Sequence, residues 1–191
     1  AIGNSSQVSG FYTGNSVDAG IGGYWNYLGE HTTFAMTNDD ACLPNGAAPN
    51  NDNNCDLSFE ILQLPELNFQ SVSGDMWLQF DFFHDMNWGG GDAYVEVSSD
   101  GGASWFDISG PLPALQSWQS TAINISQFID TNIILRFVWS DNNSWASGLA
   151  IDNILISELP EYNLKTISAN QKLPALSGVN IYGATSYPTV P

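Results

Sequence analysis

From Met76 to Trp105 the chain runs through two stretches in which apolar and polar positions alternate. In Met76–Phe83, Leu78, Phe80 and Phe82 alternate with Gln79, Asp81 and Phe83. In Ala93–Ser98, Ala93, Val95 and Val97 alternate with Tyr94, Glu96 and Ser98. A period of two puts successive side chains on opposite faces, so each run predicts a half-buried antiparallel strand. The segment between them, Asp85-Met86-Asn87-Trp88-Gly89-Gly90-Gly91-Asp92, is too polar and too glycine-rich for a regular element. After the second run, Ser99-Asp100-Gly101-Gly102 predicts a tight hairpin, because Asp-Gly and Gly-Gly readily take positive φ. Trp105 then opens the next strand.

The rest of the chain repeats this punctuation. Further strands are expected over His31–Met36, Leu57–Gln63 (stopped by Pro65), Leu67–Phe69, Trp105–Ile108, Trp118–Ile125, Ile133–Trp139 and Leu149–Ser157. Ile133–Trp139 (IILRFVW) is the most apolar run and belongs at a sheet centre; Leu149–Ser157 closes the sheet. No segment sustains a 3.6-residue period. About eight or nine short strands separated by turn signals predict an all-β fold, a two-sheet antiparallel β-sandwich of jelly-roll type. That domain is assigned to residues 1–160. Residues 161–191, punctuated by Ser, Asn and Pro, read as an extended tail or linker into a further domain, with strand exchange and self-association through 161–191 as the alternative.

The hairpin Ser98-x-Asp100-x-Gly102-x-Ser104-Trp105 also fits the Asp-box of sialidase-type β-propellers. A propeller repeats its box in every blade. One copy in 191 residues is a folding turn.

Charge narrows the partners. Three basic residues stand against twenty acidic ones, a formal net charge of −17. Nucleic acid and anionic membranes both need a positive surface, so neither is expected as a partner. No run is long and apolar enough for membrane insertion by a helix. Cys42 and Cys55 enclose a loop of Asn, Pro and Gly and read best as a disulfide, hence an oxidising compartment. Closing so short a loop stabilises by roughly 3 kcal/mol in the chain-entropy model.

Four ordered pieces carry a family resemblance: Asn38-Asp39-Asp40-Ala41-Cys42; Leu62–Leu67 leading into Leu78-Gln79-Phe80-Asp81; Val95-Glu96-Val97-Ser98-Ser99-Asp100-Gly101-Gly102 ending at Trp105; and Leu135-Arg136-Phe137 with Ala150-Ile151-Asp152-Asn153-Ile154. Together, over roughly residues 24–158, they resemble the MAM-like jelly rolls of secreted Bacteroidetes proteins, the group that includes the cleaved-adhesin domains of gingipains. The resemblance implies a secreted or cell-surface, non-catalytic, calcium-stabilised module, accessory to a larger protein or used as an adhesin. In such jelly rolls the metal ties the closing strand to an early loop. That makes Asp39, Asp40 and Asp152 the expected Ca2+ ligands, with Asn38 and Asp92 beside them. The sequence departs from the pattern in its long 43–54 loop and in Asn153, where a second Asp is common.

The residues themselves leave alternatives. Asp152 lies within an apolar run, where an unpaired carboxylate is costly. A calcium ion, Arg136 or a solvated edge would each satisfy it. Asp52-Asn53-Asn54-Cys55-Asp56 mimics the opening of an EF-hand loop, but Leu57 replaces the required Gly. It is either a second oxygen-ligated site or a solvated turn. Asp81, His84 and Asp85 gather acid and imidazole groups, yet no nucleophile or metalloprotease motif accompanies them, and no enzyme activity is expected. Trp88 and Trp145 sit on polar loops. Each is either a lid on the core or a flat platform with an N–H donor, suited to a glycan or protein surface.

Overall fold

The computed structural model describes residues 10–19, 31–38, 59–85, 87, 91–144 and 146–158. Among the described residues ten strands, all paired antiparallel, form two sheets. The strands are β1 (Tyr12–Gly14), β2 (Phe34–Asn38), β3 (Glu60–Gln63), β4 (Leu67–Asn68), β5 (Trp77–His84), β6 (Asp92–Ser98), β7 (Phe106–Asp107), β8 (Gln119–Asn124), β9 (Asn132–Ser140) and β10 (Gly148–Ser157). A single helical turn, α1 (Ser16–Ala19), follows β1. The first sheet runs β1-β2-β10-β5-β8, and the second runs β3-β9-β6-β7 with β4 also paired to β9. The architecture is a jelly-roll β-sandwich.

The predicted alternation builds the core. Leu78, Phe80 and Phe82 of β5 meet Val95 and Val97 of β6 and Ile133, Leu135, Phe137 and Trp139 of β9, all buried between the sheets. Phe80 and Phe137 join the two layers edge to face, with ring centroids 4.9 Å apart at 81°. Each such side chain removed from water stabilises the fold by about 1.5–3 kcal/mol. As expected, β9 is central, flanked by β3 and β6.

Two strands differ from expectation in their surroundings. β5 is not half-buried: every residue from Leu78 to His84 is buried. It lies between β10 and β8, and its outward side chains are covered too. Gln79 donates to Ser157 Oγ at 2.6 Å, and Phe83 packs with Phe34, Met36 and Ala150 in a small second apolar cluster. β10 is likewise an inner strand, between β2 and β5, rather than the rim of its sheet. β2 starts at Phe34, three residues after the expected His31.

The hairpin after β6 folds as its residues dictate. Asp100 Oδ1 accepts from the Ser104 N–H at 2.9 Å and from Ser98 Oγ at 2.7 Å. Gly101 and Gly102 take φ of 72° and 94°. Trp105 precedes β7 instead of opening it; its Nε1–H donates to Gly102 O at 3.1 Å, and Arg136 stacks on its ring at 3.9 Å. These donors hold the Asp100 carboxyl down at about 2, the Ser104 hydroxyl contributing most.

Candidate functional site

Register places two carboxylates face to face on the outer side of the first sheet. Asp152 of β10 pairs directly with Asp81 of β5. Like charges opposite one another in a sheet repel. His31 stands between them, its Nδ1 2.6 Å from Asp152 Oδ2 and its Nε2 3.8 Å from Asp81 Oδ2. An ionised carboxylate only accepts, so Nδ1 carries the donated proton. The imidazole lies on Trp118, centroids 4.0 Å apart, and Trp118 meets Phe34 and Phe83 edge-on.

A bulge completes this cluster. Asp152 pairs with Asp81 but Leu155 pairs with Gln79, so β10 carries one extra residue there. Asn153 sits in the bulge at φ 51°, a left-handed conformation that Asn tolerates better than most residues. Its backbone N–H bonds Asp152 Oδ1 at 2.8 Å, and its side-chain Nδ2 reaches Asp81 Oδ2 at 2.6 Å. Ser120 Oγ donates to the other Asp81 oxygen. Arg136 does not partner Asp152. It lies on the second sheet, where its Nε bonds Glu96 Oε2 at 2.6 Å across the Glu96–Arg136 pair. His31, a residue that carried no motif in the sequence, takes the place open to Arg136.

The candidate acid–imidazole trio disperses for a reason of parity. Asp81 and His84 are three apart on one strand, so they point to opposite faces. Asp81 joins His31 outside, while His84 is buried with its Nδ1–H donating to Leu112 O at 3.0 Å.

At one end of the sandwich the loops after β5 and β9 are clasped together. Asp85 N bonds Gly148 O at 3.2 Å, and Asn142 Nδ2 bonds Asp92 Oδ2 at 2.9 Å. The fit is close: a Cβ on Gly91, at φ 70°, would lie 2.2 Å from Ser140 O. A third segment joins them through Leu115 N to His84 O at 2.9 Å and Gln116 Nε2 to Asn87 Oδ1 at 3.2 Å. Asn142 and Asn143 both take positive φ in the turn after β9. The result is a loop end bearing the side-chain amides of Asn87, Gln116, Asn142 and Asn143. Trp88 and Trp145 belong in sequence to the two clasped loops and lie outside the described residues, as do Asp39, Asp40, Asp52, Cys42, Cys55 and the segment 161–191.

Asn38 ends β2, opposite Gly148. The carboxylates of Asp92 and Asp152 are met by protein donors, Asn142 for the first and His31 with Asn153 for the second. Among the described residues no three His, Cys, Asp or Glu side chains group closely enough to hold a metal ion. A different carboxylate is less well served. Asp85 is fully buried; its Oδ2 accepts the Asn87 N–H at 3.1 Å, while Oδ1 has no hydrogen-bond partner.

No family model matches the chain, and no curated protein does. Solved structures do. The K2 cleaved adhesin domain of Lys-gingipain superposes with a TM-score of 0.48 at 10% identity, covering 78% of this chain and 83% of that one. The K1 cleaved adhesin domain of Lys-gingipain from Porphyromonas gingivalis W83 gives 0.46 at 13%, with coverages of 83% and 89%. The carbohydrate-binding module TmCBM61, solved with β-1,4-galactotriose, gives 0.45 at 10%, with 82% and 85%. Among the described residues no helix is long and apolar enough to cross a membrane.

Proposed function

We propose that this chain is a non-catalytic, extracellular, calcium-stabilised binding module related to the MAM-like jelly rolls, and that its loop end holds a neutral glycan or a protein surface. The observation that supports this most is the clasp between the loops after β5 and β9. Residues 50 positions apart in sequence, Asp92 and Asn142, are thereby bonded to each other, and Asp85 is bonded to Gly148. Side-chain amides supply both donors and acceptors, the chemistry that sugar hydroxyls and peptide groups require. The two loops also carry Trp88 and Trp145, whose indoles would add flat apolar faces. A net charge of −17 disfavours anionic ligands at this or any surface of the chain.

The same reading places the protein at the cell surface or in secretion, with Cys42 and Cys55 joined. Intact mass measured without reductant, two hydrogens below the dithiol value, would agree; alkylation of both thiols without reductant would not.

The decisive experiment is an array of neutral, acidic and sulfated glycans probed with the full chain, followed by Trp88→Ala and Trp145→Ala. Binding to neutral glycans that each variant weakens at least tenfold, with melting unchanged, is the expected result. Binding that survives both substitutions would place the ligand elsewhere. Failure to bind any glycan, or any protein of a surface-protein array, would end the reading.

A further inference from the structure

We infer that the outer edge of β8 is a docking edge, at which an extended basic segment of a partner protein joins the first sheet as an added strand. β8 ends that sheet, and among the described residues it pairs with β5 alone. It has six residues, whereas the other terminal strands are shorter: three in β1, four in β3 and two in β7. Ile125 N bonds Met76 O at 2.8 Å. The alternation of an antiparallel ladder then turns the N–H and C=O groups of Ile123 and Thr121 toward β5, and those of Asn124, Ala122 and Ser120 outward. No described group bonds them there. Proteins blunt such edges with charged residues, proline or a bulge. Gln119–Asn124 has no charge and no proline, and its register against β5 is unbroken over all six pairs.

The path of the chain into β8 shows what borders this edge. From β7 it runs beside β6, with Ile108 N bonded to Val95 O at 2.9 Å and Leu112 N to Ala93 O at 2.7 Å, and crosses to β5 where Leu115 N meets His84 O. β7 and β8 therefore border one open side of the sandwich, one on each sheet. Residues directly opposite in a sheet share a face. Phe106 pairs with Val97 and Ile123 with Leu78, both core residues, so both side chains turn to the space between the sheets. Phe106 is nonetheless 61% exposed. Exposed carboxylates flank this side: Asp107 on β7, Asp75 before β5 and Asp130 after β8. Arg136, the one Lys or Arg among the described residues, is bonded to Glu96 on the outer face of the second sheet. The edge thus suits a strand that alternates apolar residues with Lys or Arg, its backbone supplying affinity and its charges the selection. A second copy of the chain brings another net charge of −17 and suits it poorly.

The inference does not depend on what the loop end binds. A labelled Lys-Val-Lys-Val-Lys-Val peptide, acetylated and amidated, is titrated with the full chain by fluorescence anisotropy. Glu-Val-Glu-Val-Glu-Val tests the charge, and Lys-Pro-Lys-Pro-Lys-Pro keeps the charge but cannot form a strand. Saturable binding of the Lys-Val peptide, at least tenfold tighter than either control, is expected, with slowed amide exchange at Ser120 and Ala122. Ala122→Pro removes an outward N–H without removing a bond to β5, and should weaken binding at least tenfold. Phe106→Ala should weaken it at least threefold. If Ala122→Pro does not fold, Ala122→Lys, which sets a like charge against the peptide, carries the comparison. No binding of the Lys-Val peptide would overturn the inference. Equal binding of the Lys-Pro peptide would also overturn it, by reducing the effect to charge alone. A dimer in sedimentation that Ala122→Pro abolishes would overturn the choice of occupant in favour of a second copy.

Discussion

His31 Nδ1 lies 2.6 Å from Asp152 Oδ2 although the two residues are 121 positions apart, and the imidazole separates Asp152 from the facing Asp81. His31→Ala would leave two carboxylates opposed across neighbouring strands. The pair is only part-buried, so solvent screens some of the effect. We expect a loss of about 1–2 kcal/mol in urea unfolding. A double-mutant cycle with Asp152→Ala should give a coupling of at least about 0.5 kcal/mol. Additive substitutions would mean that the contact contributes nothing to stability.

The Asp100 hairpin makes a prediction about acid. Its carboxyl titrates at about 2 in the folded chain, below the ordinary 3.8, chiefly through the Ser104 hydroxyl. A group whose folded pKa is depressed adds stability above its unfolded pKa and loses it as pH falls through the folded one. The contribution should therefore be complete above about pH 4 and fade toward pH 2. Carboxyl NMR titration should show the low midpoint, and Asp100→Asn should flatten this limb of the stability profile. A midpoint near 3.8 in the folded chain would show that the turn's hydrogen bonds do not persist in solution.

Gly91 and Gly101 provide a matched comparison. Both have positive φ, but a Cβ on Gly91 would strike Ser140 O whereas one on Gly101 meets nothing within 4 Å. Gly101→Ala should cost only the left-handed strain, about 1–2 kcal/mol. Gly91→Ala adds a backbone clash at the loop clasp and should cost clearly more, with weakened ligand binding. Equal costs in thermal unfolding would argue that the clasp yields freely.

Phe137→Ala removes one partner of the edge-to-face pair that joins the sheets. At a fully buried position the lost transfer energy and the cavity should together cost about 3–5 kcal/mol. Chemical denaturation with an unchanged m-value would measure it. A loss below about 1 kcal/mol would mean the core collapses around the gap.

The strands of this protein are legible because their signal is local. Period-two alternation in Met76–Phe83 and Ala93–Ser98 and the apolar run Ile133–Trp139 mark strands that must bury side chains, and a β-sandwich follows from the number of such strands; that both faces of β5 are covered was not in the pattern. The Ser98–Trp105 hairpin was equally readable, since its glycines and Asp100 act within five residues of one another. The site depends on contacts that no local pattern encodes. Whether Asp152 would meet Arg136 could not be read locally, because that depends on strand order and register: β10 settles beside β5, Arg136 goes to the other sheet, and His31 arrives from outside β2. The bulge at Asn153 and the burial of Asp85 are likewise products of pairing between distant segments. Side-chain alternation carries the sign of each face, inward or outward, but not which partner covers it. Only packing of the two sheets and their loops decides that.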